Sequence, residues 1–300
     1  MTLYTQVAAN KAKTGIYLIF YVVLILVISY VADLYFGTNI IFLIASVVCI
    51  VQGVVAYWYA DSIALSLAHA TLLDQNVYSG VYRIVQNLCV TAGLPMPRLF
   101  LIPDTAMNAF ATGRDPQHAA LALTQGLLER LNENELTGVL AHELSHIGDD
   151  DIRLSSMVMI MAGLISLLSD LVLRSMFWGG GRRRNNDNND EGGTVLFVVP
   201  IVLAILAPIA ATLIQLAISR KREFMADAKG VLLTRYPEGL ISALQKISGD
   251  EEPLEAASNA TAHMYFTNPL KSKAWFSSFF STHPPIEERI QALRKGSGLG

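Results

Sequence analysis

Four long apolar runs dominate the chain. They occupy residues 15–36 (GIYLIFYVVLILVISYVADLYF), 39–60 (NIIFLIASVVCIVQGVVAYWYA), 154–173 (LSSMVMIMAGLISLLSDLVL) and 194–217 (TVLFVVPIVLAILAPIAATLIQLA). Each approaches the roughly 20 apolar residues a helix needs to cross a bilayer. The pattern predicts two helical hairpins, in segments 1–60 and 154–217, the second interrupted by the polar loop 174–193. Between and after them, in 61–153 and 218–300, apolar positions recur at shorter periods. LNENELTGVL predicts a helix start: Asn132 can cap, Glu135 stands at the capping-box position, and Leu136, Val139 and Leu140 follow at helical spacing up to Gly148. HAALALT, opening at His118, reads as a strand. The fold class expected is an α-helical integral membrane protein carrying an α+β domain built from two separated stretches of chain.

Composition agrees. The chain has 300 residues, 52% of them apolar and 16% charged, with a mean hydropathy of +0.41. A soluble domain of this length is more polar. The first run follows Lys11 and Lys13 as a signal peptide would, but its apolar core is too long and lacks a small-residue cleavage site, so it is expected to be a retained span. Of the 22 Lys and Arg residues, 18 fall before the first run, in 61–153 or after 217, and 4 in the loop 174–193. The positive-inside rule then places both termini and the α+β domain in the cytoplasm, at the plasma membrane, which in a bacterium is the inner membrane. A hairpin that does not span is the alternative for the third and fourth runs. The net charge of −3 and the confinement of the one basic run, Arg182–Arg184, to GGGRRRNNDNNDEGG argue against a nucleic-acid partner. Cys49 lies in a run and Cys89 outside one, so no disulfide framework is expected.

The chemistry concentrates in LAHELSHIGDDD, residues 140–151. On a helix His142 and His146 are i and i+4 on one face, near enough for both imidazoles to hold one ion. Glu143 stands about 100° round the helix, where it reaches a water on that ion rather than joining the ligands. An ion such as zinc makes that water acidic near neutrality. Chance would produce about 0.005 such H-E-x-x-H matches in a chain with 6 His and 12 Glu. Hydrolytic zinc usually takes three protein ligands. The metzincin extension fails, because residue 149 is Asp and residue 152 is Ile. His69, His118 and His263 read as surface or packed histidines. The acidic candidate is SRKREFMADAKG, where Glu223 could ligate and Asp227 could hold a histidine ring. Such a pair alone also describes a solvated helix face. Two runs separate His146 from Glu223, however, and an even number returns the chain to the same side.

At these residues the sequence resembles the HtpX heat-shock membrane metalloproteases, relatives of the CAAX prenyl endopeptidases. The resemblance covers most of the chain through AGLPMPRLFLI (92–102), NAFATG (108–113), LTGVLAHELSHI (136–147), REFMADAKG (222–230) and STHPPIEERIQAL (281–293). It implies a gluzincin-type domain with a small, edge-exposed sheet, and one Zn2+ per chain held by His142, His146 and Glu223. Glu143 would be the general base and Asp227 the group supporting the ligands. It further implies that Asn108, Ala109, Phe110 and Ala111 form an edge strand to which an extended substrate adds, and that His283 stabilises the developing oxyanion. Asp151 matches a recurrent acidic position without a derivable role, and the loop 174–193 departs from the family pattern. The function implied is zinc-dependent cleavage of membrane or unfolded proteins beneath the bilayer, in contact with lipid, as part of quality control. A CAAX-type endopeptidase and a non-catalytic zinc-binding scaffold are the alternatives. The first builds a larger multi-span chamber, and the second would have lost a ligand or Glu143.

Overall fold

The computed structural model describes residues 40–163, 220–255, 257, 261–269 and 284–297, together with scattered positions between 12 and 34. The third run beyond residue 163, the loop 174–193, the fourth run and His283 lie outside the described residues.

Helix α1 (Ile40–Trp58) is apolar almost throughout and ends in the aromatic triplet Tyr57–Trp58–Tyr59. Ile40, Leu43, Ile44, Val47, Ile50, Val51 and Val54 are all exposed along it. Among the described residues no single helix is long and apolar enough to cross a membrane. Phe42–Trp58 and Ala60–Leu67 qualify together, but they bend by 77° at the break. The second expected span is therefore a helix that turns sharply near its end. The reason lies in α2 (Ala60–Leu67), whose Ala64 and Leu65 are buried against the sheet rather than continuing along the axis of α1.

The sheet has four strands: β1 (Thr71–Leu72), β2 (Arg98–Ile102), β3 (Ala109–Thr112) and β4 (Ala120–Thr124), in the order β1-β2-β4-β3. β2 runs parallel to β4, and the outer strands pair antiparallel to their neighbours. Alternation sorts the side chains to two faces. Leu99, Ala109, Ala111, Leu121 and Leu123 join a core with the helices α3 (Ser79–Ala92), α5 (Glu133–Gly148) and α8 (Pro237–Gly249). Ile102, Phe110, Ala120 and Ala122 face a second cluster with α2, Met159 and Tyr265. The strand expected from His118 instead begins at Ala120. Pro116–His118 forms a 3-10 turn, and the Asp115 carboxylate accepts from both the backbone N–H and Nδ1 of His118.

α4 (Gln125–Arg130) leads from β4 to α5, at the centre of the domain. The capping box is present at its start: the Asn132 side chain accepts from the Glu135 N–H, and Glu135 accepts from the Asn132 N–H. The chain then turns through Asp150, at φ +62°, into a helix at 151–163, α6. Met157, Val158, Met159, Met161 and Ala162 are buried, so the start of the third apolar run packs into the protein. The later stretch contributes α7 (Arg220–Thr234), α8 and α9 (Ile286–Ser297), and α5 lies against β3, α3, α7 and α8. Glycine permits two close approaches to neighbouring helices at α5. A Cβ at Gly138 would stand 2.8 Å from the backbone of Leu240, and one at Gly230 would stand 3.2 Å from the His142 nitrogen.

Candidate metal centre

His142 and His146 lie one turn apart on α5, and α7 crosses that face where Gly230 lets it approach. One ligand atom each from His142, His146 and Glu223 falls within a sphere of mutual distances no greater than 4.8 Å. The two Nε2 atoms are 3.1 Å apart, and the Glu223 carboxylate oxygens lie 3.7 Å from Nε2 of His142 and 3.6 Å from Nε2 of His146. Donors bound tetrahedrally to one zinc at about 2.0–2.2 Å stand about 3.3–3.6 Å apart. The donor set fits that spacing, and two imidazoles with one carboxylate suit zinc chemically.

Each imidazole gives its other N–H to a carboxylate, which leaves Nε2 directed into the centre. His142 Nδ1 lies 2.9 Å from Asp227 and His146 Nδ1 lies 3.0 Å from Asp151. Asp227 is in turn gripped by the fully buried Arg289, whose guanidinium also donates to the Phe266 carbonyl and lies over the Phe266 ring. The Phe266 ring meets the His142 ring edge-on at 4.9 Å.

Burial pushes His142 down to about 4, the Arg289 and His146 charges adding to it against the pull of Asp227. Burial opposes charge on His146 as well, but Asp151, Glu223 and Glu143 outweigh it and raise that group to about 9. Glu143 is also buried. Its carboxyl is pushed up to about 7, chiefly by burial with Glu223 adding, while His146, Arg289 and the backbone N–H of Ala111 work against the rise.

A cleft lined by Ala111, His142, Glu143, His146, Asp151, Ser155, Arg222 and Glu223 is bounded also by His263, Met264, Tyr265 and Phe266. β3 is an edge strand of the sheet, where residues 109–111 were expected to stand, with Asn108 just before it. Part of that edge is in use. The Ala109 carbonyl accepts from the Phe266 N–H at 2.8 Å, Phe110 forms an antiparallel bridge with Tyr265, and the Asn108 side chain bonds the Thr267 backbone. An added strand meets the chain's own residues 265–267 at that end, while Ala111 borders the cleft beside Glu143.

The structure brings together His142, Glu143, His146, Glu223 and Asp227, the residues that sequence reasoning had singled out. That reasoning missed Arg289 and Phe266, gave Asp151 no role, and set aside His263, which is buried and donates to the Ser155 carbonyl from a 3-10 turn at the cleft. Arg289 carried a readable signal, since it shares a helix stripe with Ile286, Ile290 and Leu293.

Comparison with known proteins matches residues 78–297 to the model of peptidase family M48. The chain is 40% identical over 293 residues to a protein named Protease HtpX homolog from Tropheryma whipplei strain Twist, covering 98% of each chain. It is 42% identical over 296 residues to one of the same name from Caldanaerobacter subterraneus subsp. tengcongensis, covering 98% of this chain and 97% of that one. A third, from Listeria monocytogenes serotype 4a, is 40% identical over 300 residues, covering 97% and 99%. Among solved structures, Ste24p of S. mikatae superposes with a TM-score of 0.51 at 19% identity, covering 96% of this chain and 67% of that one, a likeness of fold.

Proposed function

The chain belongs to peptidase family M48, and on that premise we propose that it is a zinc-dependent endopeptidase cutting membrane or unfolded proteins close beneath the cytoplasmic surface of the plasma membrane. It is a membrane metalloendopeptidase of the HtpX type. One observation carries the reading furthest: two imidazoles of α5 and a carboxylate of α7 converge at ligand spacing, with a buried carboxyl one residue from the first imidazole.

His142, His146 and Glu223 would hold the ion. When bound, it supplies a Lewis acid that polarises the scissile carbonyl and acidifies water. Asp227 and Asp151 keep Nδ1 of each ring protonated and Nε2 free to bind. Glu143 takes a proton from the attacking water and later gives it to the leaving amine. A carboxyl held near neutrality suits both transfers. The end of β3 at Ala111, which borders the cleft beside Glu143, offers main-chain groups to an extended substrate, whereas Asn108, Ala109 and Phe110 are already engaged by residues 265–267. His283 remains the candidate for stabilising the oxyanion.

The exposed apolar faces of α1 support a lipid environment, and the 18-to-4 division of basic residues supports a cytoplasmic catalytic domain. Quality control of membrane proteins is the role that the resemblance to the HtpX proteases implies for it. All the candidate ligands and Glu143 are retained, which removes the reason to read the chain as a scaffold. The test is metal analysis of the detergent-purified protein, paired with cleavage of a denatured substrate. One zinc per chain, with activity lost to a chelator and restored by Zn2+, is expected. Cleavage indifferent to chelation would overturn the reading.

A further inference from the structure

His142 and His146 are not supported alike. Asp227, which holds His142, is itself clamped by a buried arginine on a separate helix. His146 sits in the last full turn of α5, with its side chain 16% exposed against 1% for His142. Its Nδ1 lies 3.0 Å from the carboxylate of Asp151, beyond the end of the helix.

The local backbone is arranged to bring that acid back. α5 ends at Gly148, Asp149 closes it, and Asp150 takes the left-handed conformation at φ +62°, which costs most residues energy but which aspartate tolerates better. The turn carries the buried Asp151 alongside the ring it has just passed, with Oδ2 3.0 Å from His146 Nδ1. Its other oxygen accepts from Arg222 at 3.3 Å. Arg222 immediately precedes Glu223. One carboxylate thus links the second imidazole, the first residue of α6 and the turn of α7 that carries the candidate third ligand.

We propose that Asp151 is a positioning residue of the metal centre: it fixes the tautomer and rotation of His146 so that Nε2 faces the ion, and through Arg222 it holds the Glu223 turn against α5. The proposal rests on the metal-site reading above. It separates Asp151 from its neighbour Asp149, whose carboxylate is ion-paired with Lys229 on α7. Loss of a carboxylate supporting a ligating histidine typically weakens metal binding 10–100-fold.

The experiment uses the full chain in detergent. Zn2+ affinity is measured by competition with a chromophoric chelator, and the visible spectrum is recorded after loading with Co2+. Asp151→Asn keeps an oxygen that can accept the N–H but loses the charge, so about a 10-fold weaker affinity is expected. Asp151→Ala should approach 100-fold, and both variants should shift the Co2+ bands. Asp149→Asn should stay within threefold of the parent protein with an unshifted spectrum, because its partner Lys229 lies six residues past Glu223 on α7, and α7 stays seated on α5 through its remaining contacts. An Asp151→Ala protein with parental affinity and spectrum overturns the proposal. If that variant does not fold, Asp151→Asn decides alone, and parental values in it are equally fatal. A parent protein that binds no Zn2+ would instead sink the metal reading itself, so the two failures are told apart.

Discussion

Arg289 grips the carboxylate of Asp227 with two nitrogens, Nε to Oδ2 at 2.8 Å and Nη2 to Oδ1 at 2.6 Å, across 62 residues of sequence. Both side chains are almost wholly shielded from water. The paired geometry is the strong form of an ion pair. Its removal from one side leaves a charge in the core. Arg289→Leu should therefore cost about 3–5 kcal/mol of stability, since the uncompensated Asp227 remains buried. Asp227→Asn combined with Arg289→Leu should recover part of that loss. Denaturant midpoints of the single and double variants measure the difference, and additive losses would show that the two groups do not act as a pair.

The same pair predicts an acid limit. Burial alone would raise the Asp227 carboxyl, but the Arg289 charge and hydrogen bonds, with His142 adding, hold it down at about 2. In the unfolded chain an aspartate titrates near about 3.9. A depressed folded value means that the contribution is complete above about pH 4 and is lost as pH falls through about 2. Unfolding midpoints of the metal-free protein between pH 5 and 2 should fall more steeply in the parent chain than in Asp227→Asn. Equal slopes would place the acid sensitivity elsewhere.

Two glycines of the domain should respond differently to the same substitution. A methyl group at Gly138 would meet Leu240 backbone at 2.8 Å, pressing α5 off α8, a helix that carries none of the candidate ligands. Gly138→Ala should lower stability by about 1–3 kcal/mol. At Gly230 the methyl group meets the Ala141 and His142 backbone at 3.2–3.4 Å, so α7 must shift by a few tenths of an ångström. That shift moves Glu223 relative to the imidazoles. Gly230→Ala should therefore show its effect in Zn2+ retention under mild chelation more than in the unfolding midpoint, whereas Gly138→Ala should show the reverse.

These residues also mark how far the sequence could be read. His142 and His146 share a face because a helix fixes four-residue neighbours, and the helix was legible from its own capping box and periodicity. Glu223 was reachable only through topology and resemblance. Asp151 was not legible, because its return to His146 depends on one left-handed residue past the helix end. Arg289 stood out on an apolar stripe, but nothing local names a partner 62 residues away. Hydrocarbon and protein interior select the same residues, so the buried side chains of 154–163 carry the same apolar pattern as a span. The bend after α1 had no glycine or proline to announce it.

Glu143 separates binding from chemistry. It follows a candidate ligand directly, yet it lies off the His142–His146 face and outside the three clustered donors. Glu143→Gln preserves size, so the ligand geometry and zinc content of about one per chain should persist. The amide cannot take a proton from water or return one to the leaving amine. Removal of a general base typically costs 10²–10⁴-fold in rate. Cleavage of a denatured substrate should fall by at least 10²-fold at unchanged zinc content. Loss of zinc along with activity would make Glu143 a ligand or a structural support, and full activity would remove it from the proton path.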